Sequence, residues 1–146
     1  MALGIRTIFQ NAANVLFTNS AVLGTIGLIT AVAANQQMKI RAWVMFTVGA
    51  TGGVRLQVIT PAAPVLTNLT VTIINTVAPA QTLVSGAAFG VVNIPLANAG
   101  THWAVVECDF VNGVNAGNVD LQVAQNTADA LTLTVLRGSS MEVVTT

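Results

Sequence analysis

Hydrophobic and polar residues alternate with a period of two along most of this chain, most clearly towards its carboxyl end. Val119 and Val123 fall on one face of a strand and Asp120 falls on the other, and the alternation restarts over residues 131–136. Residues 137–140, with the sequence RGSS, are rich in turn formers and predict a tight turn that returns the chain for a terminal strand. Three strands of a β-structure are therefore predicted in this part of the chain.

Further apolar segments occur at short spacing from residue 22 onward. They are separated by segments rich in glycine, proline and asparagine, which are typical of turns. The predicted strands cover residues 22–33, 38–48, 54–60, 66–77, 82–92, 102–111, 119–124, 131–136 and 141–145. Because no long helix is indicated, we expect an all-β fold, a jelly-roll-like antiparallel β-sandwich of about 8–10 strands with a short N-terminal arm.

The first residues do not follow this pattern, since their apolar positions have no period of two. A free tail would be expected to be polar, and this segment is not. Two interpretations stay open, namely a first strand packed on its own sandwich and an apolar arm that lies on a neighbouring protein. We divide the chain into an N-terminal arm, residues 1–20, and a single β-sandwich domain, residues 21–146. The apolar side chains expected to dock the arm are Leu3, Ile5, Ile8 and Phe9.

The phase of the alternation in two central strands indicates which side faces the core. Even-numbered positions of residues 38–48 and of residues 102–111 are apolar at nearly every place, so they are predicted to point inward. The odd-numbered positions include residues of opposite charge, which would pair across the two strands if these are neighbours and contribute about 0.2–1 kcal/mol per pair. These charged residues are Lys39, Arg41, Glu107 and Asp109.

The same outward positions also carry large apolar side chains. Trp43, Met45 and Trp103 lie beside the charged residues, and aromatic residues in such a setting are typical of a subunit interface. We therefore predict that these three residues lie where subunits meet. A different interpretation is that Trp43 or Trp103 is an exposed platform on which a sugar stacks, as in a carbohydrate-binding module.

Composition supports burial of this surface in an assembly. Only 7% of the residues are charged against 53% hydrophobic residues, whereas an ordinary soluble domain has about 25% charged residues. The formal net charge of zero argues against binding to nucleic acid, which needs a basic surface. Residues 15–34 are uncharged, but polar residues interrupt them and no basic cluster flanks them, so neither a membrane-spanning helix nor a signal peptide is predicted.

Residues for chemistry are scarce, so we expect no enzyme, no cofactor and no metal centre. His102 is the one histidine, and it is predicted to lie at the rim while Ser139 and Ser140 occupy a turn. Cys108, the one cysteine, is predicted to be a buried apolar thiol in a protein made in a reducing compartment. The segment 109–120 contains several side-chain oxygens, and a plain glycine turn and a cation site are both open there.

Several segments resemble known domains. The strand GNVDLQVAQN, the strand LTLTVLRGSS and the final MEVVTT resemble the carboxyl end of β-sandwich domains of bacteriophage virion proteins. These include capsid decoration (cement) proteins and the domains of head or tail fibres. Two earlier segments, FTVGATGGVRLQV and THWAVVECDFV, are similar to the central strands of such domains.

The resemblance implies a role without catalysis. It implies a trimeric capsid decoration protein that binds the major capsid protein of the virion and stabilises the assembled head. The protein would be made in the host cytoplasm and would end on the capsid surface. A small head or tail fibre domain is the alternative within the same class.

Overall fold

The computed structural model describes residues 5–61, 64–75, 81–86, 90–96 and 99–145, and the strands in these ranges are joined without any helix. All strand pairings in this part of the chain are antiparallel, so the predicted all-β fold is confirmed. The strands are β1 (Ile5–Gln10), β2 (Val15–Phe17), β3 (Gly24–Val32), β4 (Gln37–Val48), β5 (Val54–Ile59), β6 (Val65–Asn75), β7 (Gln81–Gly86), β8 (Val92–Ile94), β9 (Gly100–Val111), β10 (Gly117–Ala124), β11 (Leu133–Val135) and β12 (Ser140–Thr145).

The strand pairings nest inside one another along the chain. β1 pairs with β12, β3 with β10, β4 with β9, and β5 with β8, so the chain folds as one long hairpin rolled into two layers. Sheet A has the order β1-β12-β4-β9-β6-β7, with β11 also paired to β4 and β2 paired to β11, and sheet B has the order β3-β10-β5-β8. This nested arrangement is the predicted jelly roll. The β6–β7 hairpin is inserted between β5 and β8 and extends sheet A beyond β9.

The predicted tight turn forms, with the Ser139 N–H donating to Leu136 O at 3.3 Å, but the prediction that it returns the chain is wrong. β11 and β12 both pair antiparallel with β4, so they run the same way and form one interrupted strand. The interruption is a bulge in which Gly138 has a φ of 88°, a conformation that favours glycine. The gap between β1 and β2 lies opposite, where the Asn11 backbone N–H donates to Ser139 O at 3.0 Å and Gly138 N–H donates to Asn11 O at 3.1 Å.

The predicted inward phase of the two central strands is confirmed. In β4 and β9 every even-numbered side chain from 40 to 46 and from 104 to 110 is at most 2% exposed. The same phase corrects the prediction for His102, which is 0% exposed and not at the rim. Its ring centroid lies 5.7 Å from that of Phe46 in the core. Position 102 continues the inward alternation of β9. The burial of His102 therefore follows from its position in the strand and not from the polarity of its side chain.

A buried glutamine holds the loops together at one end of the sandwich. Gln125 is 0% exposed, and its Oε1 accepts hydrogen bonds from the N–H groups of Ser20 at 2.8 Å and Asp129 at 3.2 Å. Its Nε2 donates to the carbonyl oxygens of Asp129 at 3.0 Å and Leu131 at 2.6 Å. One amide side chain therefore uses its full hydrogen-bonding capacity to join the β2–β3 loop to the β10–β11 loop.

The thiol of Cys108 lies in the core, as predicted. Burial raises its pKa from 9.0 to about 12, and the negative charge of Asp109 adds to the rise. The folded protein therefore holds the thiol in its neutral form under conditions where an unfolded chain ionises it.

We expect Cys108 to be inert in the folded protein and to make stability depend on alkaline pH. Above the ordinary thiol pKa the unfolded chain loses a proton that the folded chain keeps, so the free energy of unfolding falls as pH rises from about 9 towards 12. Urea unfolding at pH 8 and at about pH 10.5 should show a larger loss for the wild type than for Cys108→Ala. Equal losses in the two proteins would contradict this assignment.

The described N-terminal part of the chain contains two strands. Residues 5–10 form β1 and residues 15–17 form β2. The sequence pattern had left both a strand and an arm open for this segment. Residues 1–4 lie outside the described residues. The predicted strand over residues 82–92 corresponds to β7 and β8. Within the described ranges no helix has the length and hydropathy to cross a membrane.

Candidate interaction surface

The two outer faces of the sandwich differ in chemistry. On the outer face of sheet B, Asp120 accepts hydrogen bonds from Thr25 Oγ1 at 2.8 Å and from Gln122 Nε2 at 2.9 Å. Arg55 donates to Asn93 Oδ1 at 2.7 Å on the same face. Polar side chains there bond to one another, so this face has the character of an ordinary solvated sheet.

The outer face of sheet A carries a tryptophan patch. Met45 is the register partner of Trp103, Trp43 is the partner of Val105, and Ile74 of β6 lies on the other side of Trp103. Trp103 is 37% exposed and Ile74 is 39% exposed. The structure therefore brings together the three residues predicted for a subunit interface. The tryptophan patch consists of Trp43, Met45, Ile74, Trp103 and Val105.

A charged patch lies beside it on the same face. The predicted pairs form, with Arg41 Nε 3.0 Å from Glu107 Oε1 and Lys39 Nζ 3.6 Å from Asp109 Oδ1. A third pair joins the edge strand to its neighbour, with Arg6 Nε 2.7 Å from Glu142 Oε1. Exposed pairs of this kind contribute ~0–1 kcal/mol each to stability. Their main effect here is that the positive and negative charges of the charged patch balance.

Arg41 connects the two patches. Its guanidinium carbon lies 4.9 Å from the ring centroid of Trp43, a cation–π contact. A depression of about 400 Å³ lies over the charged patch, with Lys39, Arg41, Asn68 and Glu107 among its lining residues. The polar part of the face is therefore slightly concave, and the tryptophan patch adjoins it.

The residues predicted to dock the N-terminal segment separate into two groups. Ile5 and Ile8 of β1 are 70% and 63% exposed. Phe9 instead packs against the core, and Leu3 lies outside the described residues. The exposed apolar surface of β1 is therefore supplied by two isoleucines at the edge of sheet A.

The oxygen-bearing side chains of residues 109–120 are not brought to one point. Asp109 pairs with Lys39 on the outer face of sheet A, whereas Asp120 bonds to Thr25 on the outer face of sheet B. Asn112 is 1% exposed and donates to the carbonyl oxygens of Ala33 and Asn115. No group of three or more His, Cys, Asp or Glu residues placed to hold a metal ion is found in the described ranges.

Of the side chains weighed for catalysis, Ser139 and His102 are enclosed and Ser140 is half-buried. Ser139 is 1% exposed; its Oγ lies 2.8 Å from Leu136 O and accepts from the Met45 N–H at 3.0 Å. His102 lies in the core beside Phe46. Ser139 thus stabilises the bulge between β11 and β12 through backbone groups, a role beyond the turn serine expected from the sequence.

No protein-family model matches the chain, and no curated protein matches it. It is similar to a solved structure of the infectious bursal disease virus Gx strain, at 10% identity and a TM-score of 0.27, over 97% of this chain and 39% of the other. It is also similar to the VP2 subviral particle of infectious bursal disease virus, at 12% identity and a TM-score of 0.26, over 97% of this chain and 40% of the other. The chain spans about two-fifths of the length of these proteins. A superposition at such TM-scores does not bear on function, which must be argued from the surface of the molecule.

Proposed function

We propose that this chain is a non-enzymatic structural protein of a virion, and specifically a trimeric bacteriophage decoration protein that stabilises the assembled head. The observation that carries the proposal is the tryptophan patch on the outer face of sheet A. A sheet face with two tryptophans in a chain that is only 7% charged is suited to permanent contact with protein.

The mechanism would be mass action without a chemical step. A protein that binds only the assembled shell stabilises it by its binding free energy. The major capsid protein would be the partner, and neither nucleic acid, membrane, metal nor cofactor would take part. The enclosure of Ser139 and His102 supports this proposal, since neither side chain is placed to meet a substrate.

Three-fold association would bury the tryptophan patch of each copy. Cyclic closure leaves no open contact through which copies could add without limit. The proposed site of action is the capsid surface, after synthesis in the host cytoplasm. Locating the protein on purified virions by cryo-electron microscopy tests this proposal, because density on a fibre would favour the fibre-domain alternative and absence from the particle would reject a virion role.

We expect Ile5 and Ile8 to contribute to docking on the shell. Full burial of an isoleucine side chain contributes roughly 1.5–3 kcal/mol, so Ile5→Ser with Ile8→Ser should weaken binding at least tenfold. The double variant keeps the β1–β12 pairing, whereas deleting the strand would uncover Met141, which is 1% exposed. Binding is measured by sedimentation with shells that lack the protein.

The matched control for docking is Val22→Ser in the loop before β3. Val22 is 76% exposed, so its substitution removes apolar surface without touching β1. Wild-type binding by the Ile5 and Ile8 double variant would show that β1 is only an edge strand.

A carbohydrate-binding role is less well supported by the geometry. The Arg41 guanidinium lies over the ring of Trp43, where a sugar would have to stack. Trp103 has Met45 and Ile74 as its register neighbours, so the groups beside it are apolar and not the polar groups that sugar hydroxyls need.

A further inference from the structure

The outer face of sheet A is divided into two columns that run along its central strands. β4 contributes a column with a basic end, formed by Lys39 and Arg41, and β9 contributes a column with an acidic end, formed by Glu107 and Asp109. Both columns continue into the tryptophan patch. The residues at equal levels are Lys39 and Asp109, Arg41 and Glu107, Trp43 and Val105, and Met45 and Trp103.

We infer that copies of this chain associate with the β4 column of one copy against the β9 column of the next, about a symmetry axis parallel to these strands. This inference rests on the proposed function, because it takes the homo-oligomer as given and identifies its contact. The occupant of the face is a second copy of the chain.

The direction of the axis follows from the order of residues along the columns. Rotation about an axis parallel to the strands leaves every residue at its own level. The basic end of one copy then meets the acidic end of the next, and apolar side chains meet apolar side chains. Opposite charges across a contact favour association, and like charges in contact oppose it.

An axis perpendicular to the strands would reverse the levels of one copy. Lys39 and Arg41 would then lie against the region of Met45 and Trp103, where no carboxylate is available to them. Burying charges against an apolar surface carries a desolvation cost that no opposite charge offsets. The parallel axis is therefore the arrangement in which this face is complementary to itself.

The neutral pairing within each copy does not prevent contact between copies. Lys39 and Asp109 remain 69% and 38% exposed in their side chains, and Arg41 and Glu107 remain 52% and 48% exposed. Each charge can therefore meet an opposite charge on a neighbour while it keeps its partner in the subunit. The result would be a charged network at one end of the interface and the tryptophan patch at the other.

Three variants test the contact by light scattering after size-exclusion chromatography. The acidic variant carries Lys39→Glu and Arg41→Glu, the basic variant carries Glu107→Lys and Asp109→Lys, and the exchanged variant carries all four changes. The acidic and basic variants should each run as monomers, because like charges now face each other between copies. The exchanged variant should keep the wild-type mass, because opposite charges face each other again within and between subunits.

Mixing the acidic and basic variants checks that each is folded. A mixture should form a two-chain species, since a contact between unlike variants restores opposite charges. Wild-type mass in both single-column variants would overturn the contact while leaving the proposed oligomer intact, and a monomeric exchanged variant or a failure to associate on mixing would also overturn it. A monomeric wild-type protein would instead reject the oligomer itself.

Discussion

Replacing Ile74 with lysine is expected to convert the protein from a species of about three times 15.0 kDa to a folded monomer of 15.0 kDa. Ile74 lies beside Trp103 in the tryptophan patch and is 39% exposed. If three copies bury this patch, each would enclose an unpaired ammonium group, and the desolvation cost is several kcal/mol per ion. Light scattering after size-exclusion chromatography measures the mass, and circular dichroism shows that the sheets are retained.

The control for this experiment is Ile29→Lys on the opposite face. Ile29 of β3 is 37% exposed, and its register partner Asp120 belongs to the polar outer face of sheet B. The two substitutions have the same chemistry and nearly the same starting exposure, but only Ile74 lies on sheet A. If Ile29→Lys lowered the mass and Ile74→Lys did not, the interface would lie on sheet B and our assignment to sheet A would be wrong.

Replacing Gln125 with leucine is expected to lower the free energy of unfolding by about 3 kcal/mol or more. The substitution removes the Gln125 amide from two N–H groups and two carbonyl groups, which belong to Ser20, Asp129 and Leu131. Of these four groups, the Asp129 carbonyl keeps a partner, because it also accepts from the Asn19 N–H at 2.9 Å. Each buried group left without a partner costs about 1–3 kcal/mol, and movement of the loops towards water recovers part of this. Urea unfolding followed by tryptophan fluorescence gives the difference.

Gln122→Leu is the matched control, because it changes the same residue type within β10, the strand that ends just before Gln125. Gln122 is half-buried on the outer face of sheet B, where its Nε2 donates to Asp120 Oδ2 at 2.9 Å. We expect this variant to lose less than about 1 kcal/mol. Similar losses for Gln122→Leu and Gln125→Leu would mean that Gln125 does not hold the loops together.

The sequence predicted those features of the fold that depend on local alternation. Period-two patterning in β4 and β9 identified the core side chains, because a strand presents successive residues to opposite faces. The bulge at Gly138 was not predicted, because turn-forming residues suit a bulge as well as a hairpin. Its geometry is set by β4, which pairs with β11 and β12 on either side of it.

Two buried polar residues show a second limit. Gln125 lies in a polar segment, which is typical of an exposed loop. It is buried because the β2–β3 and β10–β11 loops come together around it, which the local pattern does not show. His102 differs from Gln125, because the inward phase of β9 was sufficient to predict its burial, although the sequence analysis placed it at the rim.

The candidate interface was predictable in part. Trp43, Met45 and Trp103 were identified from their phase within two strands, and so were the charges that pair beside them. Ile74 was missed because its place in the patch depends on the pairing of β6 with β9. Strand pairing between distant segments is not recorded in the pattern of either strand.

The nested pairing of the strands also orders the folding of the molecule in time. β12 lies between β1 and β4 in sheet A. β1 therefore cannot form its pairing with β12 until nearly all of the described chain has been synthesised. Contacts that close over such long sequence separations form slowly, and unpaired strand edges are exposed meanwhile to other chains. Sheet A therefore remains incomplete until β12 has left the ribosome. A higher concentration of nascent chains is therefore expected to lower the yield of native protein.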